Sequence, residues 1–529
     1  MVANGTVAKE DPKHDKIPAA TLDEAMTLAG LGIYNILHML LCGVILLGVI
    51  MQSLALGYVM PAAQCDLQLT LQQRGWLAAI PFLAIILMSY FWGWLADTRG
   101  RRPVMLFSML ANVVFSVLTS FAPDLISFAI LQFFSSVFMS GPSAVVYTFI
   151  GEFNCNQHRD KMVAFGSSFV GIGTVVLPAI CWLILPLEFS FYIPFLDIFY
   201  RPWRLLVVAC AVPYMISSVL LLFTPESPKF LSATGQKDKV LNVVKNIYSV
   251  NRRQHKKSFP VESIIVETQT EKDPKNKGIK AIFSSMREQT VPLFKPPLLP
   301  WTCLTCFVQF GIFATTNGFY VWFPTILNAV VNHDGGPMRI CDILSSSSDV
   351  NSNNSTDIEC NDTMNTATFQ NSIYIGLVFS SMYLIVGFLV DFVGKKLILV
   401  VLLFSTGVCG ICAQFAYNKQ LAVVLFAVFQ MSGACIGLMT AVAVEMFPTK
   451  FRAMALCLSM MMGRVGSMMG SNLIGVFLQT NCGVSFYLFG GIIILNSLFC
   501  LTLPKKKKDK TPTKEIAAEA TQNETHEPV

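Results

Sequence analysis

Apolar runs of a length that spans a bilayer recur along the whole chain, with short polar gaps between them. A spanning helix needs roughly 20 mostly apolar residues, and the pattern predicts such helices near 34–60, 76–96, 103–121, 125–151, 162–187 and 204–223. A polar stretch follows to about 297, and then six more runs lie near 299–327, 371–390, 397–416, 421–446, 453–479 and 484–503. A barrel is disfavoured, because its strands would alternate apolar and polar positions instead of running apolar throughout. The expected fold is an all-α polytopic membrane protein of twelve transmembrane helices in two pseudo-symmetric six-helix halves. Its expected parts are a cytoplasmic N-terminal segment (1–33), an N-terminal half (34–223), a central cytoplasmic loop (224–297), a C-terminal half (298–503) and a cytoplasmic tail (504–529). Within the central loop, an amphipathic helix is predicted over 238–250.

Composition supports the bilayer as solvent: of 529 residues, 53% are hydrophobic and 13% charged. The net charge of +6 is explained by topology and gives no reason to invoke nucleic acid. Arg99, Arg101, Arg102, Arg159, Lys161, the Lys-rich centre, Lys395, Lys396, Lys450, Arg452 and Lys505 to Lys508 fall on one side of the predicted bundle. The other side has little beyond Arg74, Arg201, Arg339 and Lys419, so positive charge places both termini in the cytoplasm. The stretch 1–23 is polar and shows no cleavable signal, so the first helix is expected to act as its own insertion signal.

On the opposite side, the loop 329–369 carries glycosylation acceptor sequons at Asn353, Asn354 and Asn361. This agrees with the charge distribution, which does not depend on them. Asn4 and Asn523 also match the sequon but fall on the cytoplasmic side. Cys341 and Cys360 in the outer loop are candidates for a disulfide, with Cys65 and Cys482 as competing partners. The pairs Cys303 with Cys306 and Cys409 with Cys412 lie inside apolar runs without polar ligand partners, and are read as small hydrophobes and not as a metal or redox site.

The sharpest local signal is Gly93-Trp-Leu-Ala-Asp97-Thr-Arg-Gly100-Arg101-Arg102, which returns as Gly387-Phe-Leu-Val-Asp391-Phe-Val-Gly394-Lys395-Lys396. Two copies at matching places in each half indicate an internal repeat. They resemble the signature loop of the major facilitator superfamily. Glu152 with Arg159, Pro225-Glu226-Ser227-Pro228-Lys229, and Glu445-Met-Phe-Pro-Thr-Lys-Phe-Arg452 resemble its sugar-porter and organic-ion branches. Pro202-Trp203-Arg204, the run 225–252, Gly318-Phe-Tyr-Val-Trp322-Phe-Pro324 and the long sequon-bearing loop resemble the synaptic vesicle glycoprotein 2 family.

The resemblance implies gating roles for Asp97, Arg101, Glu152, Arg159, Glu226, Asp391, Glu445 and Arg452, pairing while the inner side is closed and parting as it opens. The plainer reading is that these are interfacial charges that fix topology. The resemblance also puts Trp182 and Trp322 at the centre of a substrate cavity, where an indole could stack on a sugar, an aromatic ring or a cation; an interfacial belt is the alternative. Tyr320, Asn317 and Gln309 on the same helix as Trp322 offer polar contacts to substrate or to neighbouring helices. Arg464 lies deep inside a predicted helix, where a cation costs at least about 2.5 kcal/mol unless it faces water or a partner. It either binds an anionic substrate group or pairs with a carbonyl or carboxylate.

Relatives carry an acidic pair in the first helix, whereas Val49 and Gln52 stand at those positions here, which puts proton coupling there in doubt. His38, the titratable residue left in that run, reads as an interfacial side chain before a proton relay. The expected function is a facilitative or secondary-active transporter of a small organic solute, anionic or sugar-like. It would work as a monomer without cofactor or metal, in the plasma membrane or a vesicle membrane. The competing reading is a membrane glycoprotein that keeps the transporter scaffold for trafficking, regulation or ligand reception. No constellation of catalytic spacing points to an enzyme.

Overall fold

A computed structural model of the chain describes residues 17–265, 287–288, 290–332, 338–344 and 364–503. Asn353, Asn354, Asn361, Cys360 and the 504–529 tail lie outside the described residues. Among the described residues, eleven helices are long and apolar enough to cross a membrane. In the N-terminal half these are α1 (Ile33–Ala62), α2 (Leu71–Arg99), α3 (Arg101–Ser120), α4 (Leu125–Glu152), α5 (Asn156–Ile184) and α6 (Pro202–Leu222). In the C-terminal half they are α7 (Leu299–Asn332), α8 (Thr366–Val393), α9 (Lys395–Ala413), α10 (Lys419–Met446) and α12 (Cys482–Cys500). Between α10 and α12 runs α11 (Thr449–Thr480), which holds Arg464, Asn472 and several glycines and serines. It packs along α7 and α2 and completes the twelve.

The helices overrun the apolar runs that announce them, because capping side chains extend hydrogen bonding into the polar flanks. Thr70 and Gln73 form a reciprocal capping box at the start of α2, and Asp124 with Ser127 does the same for α4. Asn365 and Asn418 cap α8 and α10 through their side-chain oxygens. α1 is interrupted at Ala55, and α10 passes through a 3₁₀ turn at Met431–Ala434, so each half contains a locally broken helix.

The halves meet along α2 against α11 and α5 against α8. Small residues set the approach: a Cβ on Gly376 of α8 would stand 2.6 Å from the Thr174 carbonyl of α5. Where α1 meets α7, a Cβ on Gly57 would lie 2.8 Å from the Val321 carbonyl. Two short sheets add to the helical bundle. One is an antiparallel hairpin, Phe191–Ile193 with Ile198–Tyr200, between α5 and α6. The other pairs Ala20–Thr21 in parallel with Ile264–Ile265, joining the N-terminal segment to the central loop. The amphipathic helix of the loop spans Lys237–Arg252 and packs Val240, Val244 and Ile247 into the core of the N-terminal half, beside a further short helix, Leu22–Ala29.

Candidate functional site

The end of the bundle that carries the glycine-aspartate motifs is organised by one pattern, used twice. Arg101 at the start of α3 reaches Glu152 at the end of α4, Nε to Oε2 3.1 Å, and Asp97 at 2.8 Å. Lys395 at the start of α9 reaches Glu445 of α10 at 2.7 Å. The second basic residue of each motif closes the C-terminus of another helix. Arg102 donates to the carbonyls of Leu221 (3.1 Å) and Leu222 (2.7 Å) at the end of α6. Lys396 donates to Leu501 (2.7 Å) and Leu503 after α12. A cation on unsatisfied helix carbonyls is favourable in both places. The repeat read from sequence is therefore also a repeat of contacts.

The N-terminal half adds one element. Glu226 accepts from the backbone N–H of Arg101 (3.1 Å), Arg102 (3.2 Å) and Ser227 (2.8 Å), so its carboxylate caps α3 where no capping side chain exists at Gly100. Burial raises the Glu226 carboxyl above its ordinary range, against the opposing pull of these N–H groups and of Arg101. Gly100 has φ of 105°, and its missing side chain leaves the room that the Glu226 carboxylate fills. Arg159 packs on Gly151 of α4, and neither Arg159 nor Arg452 forms an ion pair among the described residues. Asp391 lies in α8.

At the opposite end, Arg74 of α2 crosses to the other half and donates to Thr325 of α7 at 2.7 Å. The rings of Tyr58 on α1 and Phe369 on α8 stack at 6.5 Å. Asp66 holds the start of α6: Arg201 pairs with it at 2.7 Å, and the Trp203 indole N–H donates to it at 2.7 Å. Arg204 donates to the carbonyls of Ser120 and Ala122 and so closes α3. The Pro202-Trp203-Arg204 motif thus ties three elements together. Cys341 pairs with Cys482 at the start of α12, with Cα atoms 5.5 Å apart, which corrects the expected pairing with Cys360. Sequence proximity favoured Cys360; the helix returning at Cys482 brings a more distant thiol into range. Cys65 is also disulfide-bonded.

Between the halves lies a small cavity lined by Tyr58 of α1, Thr174 of α5, Thr316 and Tyr320 of α7, Ser372 and Phe379 of α8, and Gln430 of α10. Of the residues singled out in the sequence for a substrate cavity, Tyr320 is in this lining. Trp322 is 1% exposed; its N–H donates to the Ser471 carbonyl at 2.8 Å, and its ring packs between Arg74 and Gly475. Trp182, near the end of α5, is 39% exposed and lies outside the lining. Asn317 donates to Ser467 of α11, and Gln309 donates to Thr440 of α10, so both spend their amide N–H groups between helices of one half.

Arg464 stacks over the Phe313 ring at 5.3 Å and lies within electrostatic reach of Tyr147 on α4, in the opposite half. Tyr147 is 38% exposed although it lies within electrostatic reach of Arg464 and Tyr383, both from the C-terminal half. Among the described residues no carboxylate pairs with Arg464. Nothing in the local sequence marks Tyr147. In α1, Gln52 forms a two-way amide pair with Asn112 of α3 (2.6 and 2.8 Å), and Asn112 also donates to Ser135 of α4. The polar Asn112 inside an apolar run is the sequence signal for this network. His38 is buried and stacks on Phe153 at 4.0 Å, as a packed side chain.

The sequence profile of the Major Facilitator Superfamily matches residues 40–345 and 363–525. Synaptic vesicle glycoprotein 2C of Mus musculus is 29% identical over 287 residues, covering 51% of this chain and 39% of that protein. Synaptic vesicle glycoprotein 2A of Rattus norvegicus is 28% identical over 289 residues, covering 51% and 38%. The matches thus span about two-fifths of these relatives' own length. Among solved structures, the inward open conformation of the xylose transporter XylE from E. coli superposes with a TM-score of 0.61 at 14% identity, covering 92% of this chain and 100% of that one. A D-xylose-proton symporter gives 0.61 at 15% identity, covering 91% of this chain. These likenesses establish the fold, and the profile match over most of the chain establishes the family: the chain is a multi-pass membrane protein belonging to the major facilitator superfamily.

Proposed function

We propose that the chain is a facilitative transporter of a small organic anion, moved by rocking of the two halves about the space that holds Arg464. The observation that carries this reading is Arg464 itself. A guanidinium at bilayer depth demands compensation, and here it lies within electrostatic reach of a phenol from the opposite half and pairs with no acidic side chain among the described residues. An anionic group would supply the missing charge and bridge the halves. The Phe313 ring beneath the guanidinium suits an organic body on that anion. Where relatives hold acidic groups in the first helix, the Gln52–Asn112 pair is neutral and satisfied, which supports transport without proton coupling at that point. The contacts at the motif end support rigid-body motion of the halves, because Arg101–Glu152 and Lys395–Glu445 each brace one half as a unit that can move whole. Both termini are assigned to the cytoplasm and the loop with the sequons to the lumen or exterior, in a plasma or vesicle membrane.

The test is uptake into proteoliposomes of labelled organic anions, sugars and organic cations. The expected outcome is anion uptake that needs no imposed pH gradient, is lost in Arg464→Ala and is partly kept in Arg464→Lys. Uptake of sugars or cations that ignores Arg464→Ala would overturn it. The second reading, a glycoprotein without turnover, is favoured by the names of the relatives and by the packing of Trp322 into the protein. Failure of all three classes to accumulate, with the protein folded and correctly oriented, would select it.

A further inference from the structure

The end of the helix Lys237–Arg252 is tied to the start of α1 through the Asn251 side chain. Asn251 donates to the Gly30 carbonyl (2.8 Å) and to Asn35 (2.8 Å), and it accepts from the Tyr34 N–H (3.0 Å). Arg252 lies against Gly30, and Arg253 ends the helix in a left-handed conformation, φ 53°. The chain then turns through a 3₁₀ segment and returns to the core at Phe259, whose ring meets Tyr248 edge-on at 5.1 Å. The basic hook 252–257 is therefore held at both ends while Arg252, Arg253, His255, Lys256 and Lys257 remain exposed.

Its position relative to the bilayer follows from α1. Ile33, Ile36, Leu37 and Leu40 are exposed at i, i+3, i+4 and i+7, the spacing of a single helix face, and such a face on a membrane helix meets acyl chains. Tyr34, whose N–H donates to Asn251, lies in the first turn of the same helix. The hook thus stands within about one helical turn of the hydrocarbon edge, at headgroup level. Nearby carboxylates are committed elsewhere: Glu24 accepts from Thr21 in a capping box and Asp23 accepts from Asn156. Among the described residues, none of the four Arg and Lys side chains of the hook enters an ion pair.

We propose that this hook is a binding site for the phosphate-bearing headgroup of an anionic phospholipid in the adjoining leaflet. Four cations next to a membrane helix form a patch that attracts acidic lipid, and the clamp by Asn251 orders the backbone beforehand, which lowers the entropy lost on binding. The charge-based orientation puts that leaflet on the cytoplasmic side, where anionic lipid concentrates. Binding here would tie the central loop and the inner end of α1 to one lipid.

The experiment uses the full chain in phosphatidylcholine micelles doped with phosphatidylserine or a phosphatidylinositol bisphosphate, with bound lipid read by native mass spectrometry. The readout involves no transport, so its failure leaves the transport reading untouched. The wild type is expected to retain the acidic lipids over phosphatidylcholine. The exposed-site variant R252Q/R253Q/K256Q/K257Q is expected to lose this preference by about tenfold or more at an unchanged melting temperature in phosphatidylcholine. The tail variant K505Q/K506Q/K507Q/K508Q is expected to keep it. The proposal fails if the hook variant binds acidic lipid like the wild type, or if the tail variant loses as much. It also fails if soluble inositol trisphosphate displaces the lipid at equal concentration, which would assign a soluble phosphate ligand instead.

Discussion

Glu226 shows how one side chain can complete an element that its own sequence leaves unfinished. Helix α3 begins after Gly100, which has no side chain to cap it, and the carboxylate that does so comes from beyond α6. Glu226→Ala is therefore expected to cost roughly 1–2 kcal/mol, and Glu226→Gln less because the amide oxygen still accepts; thermal melts of the purified variants check the order. Gly100→Ala should be at least as damaging, because it strains the positive φ and pushes on the same carboxylate. The two indoles singled out in the sequence should separate in the same assay. Trp322→Ala empties a buried site and loses a hydrogen bond, a cost of about 3–5 kcal/mol, whereas Trp182→Ala at an exposed position should be near neutral.

Between elements, the Cys341–Cys482 disulfide links the loop after α7 to the start of α12 across 141 residues. Cys341→Ser and Cys482→Ser are each expected to lower stability by about 2–4 kcal/mol, and the double variant by no more than either alone, since one bond is lost in all three. Melting under non-reducing conditions reads this directly, and a fully additive double variant would contradict the pairing. At the motif end, the matched contacts of Arg101 with Glu152 and Lys395 with Glu445 give each half its own brace.

For the molecule as a whole, the two halves touch where small residues let backbones approach, and these contacts are the ones a rocking motion must make and break. A Cβ on Gly57 of α1 would lie 3.3 Å from the Val321 Cα of α7. Because that Cβ would also meet the Val321 carbonyl at 2.8 Å, Gly57→Val is expected to push α1 and α7 apart. If the halves close through this contact, Gly57→Val abolishes uptake in protein that still melts cooperatively; unchanged uptake would speak against that motion.

The amino-acid sequence determined the spans, the duplication and the sites of charge, because in a bilayer the cost of exposing polar groups to lipid writes itself into the order of apolar and polar residues. It also carried the repeat, since two copies of one motif need no structure to be recognised. The sequence could not determine which side chains meet across hundreds of residues. That Glu226 caps α3, that Cys341 finds Cys482, that Gln52 faces Asn112 and that Arg464 stacks on Phe313 are decisions of tertiary packing. The same packing withdrew Trp322 and Gln309 into contacts between helices, although their residue types suit a binding cavity equally well. Helix periodicity says which face of a segment is apolar, but the partner of a polar side chain on that face depends on how the segments are arranged around it.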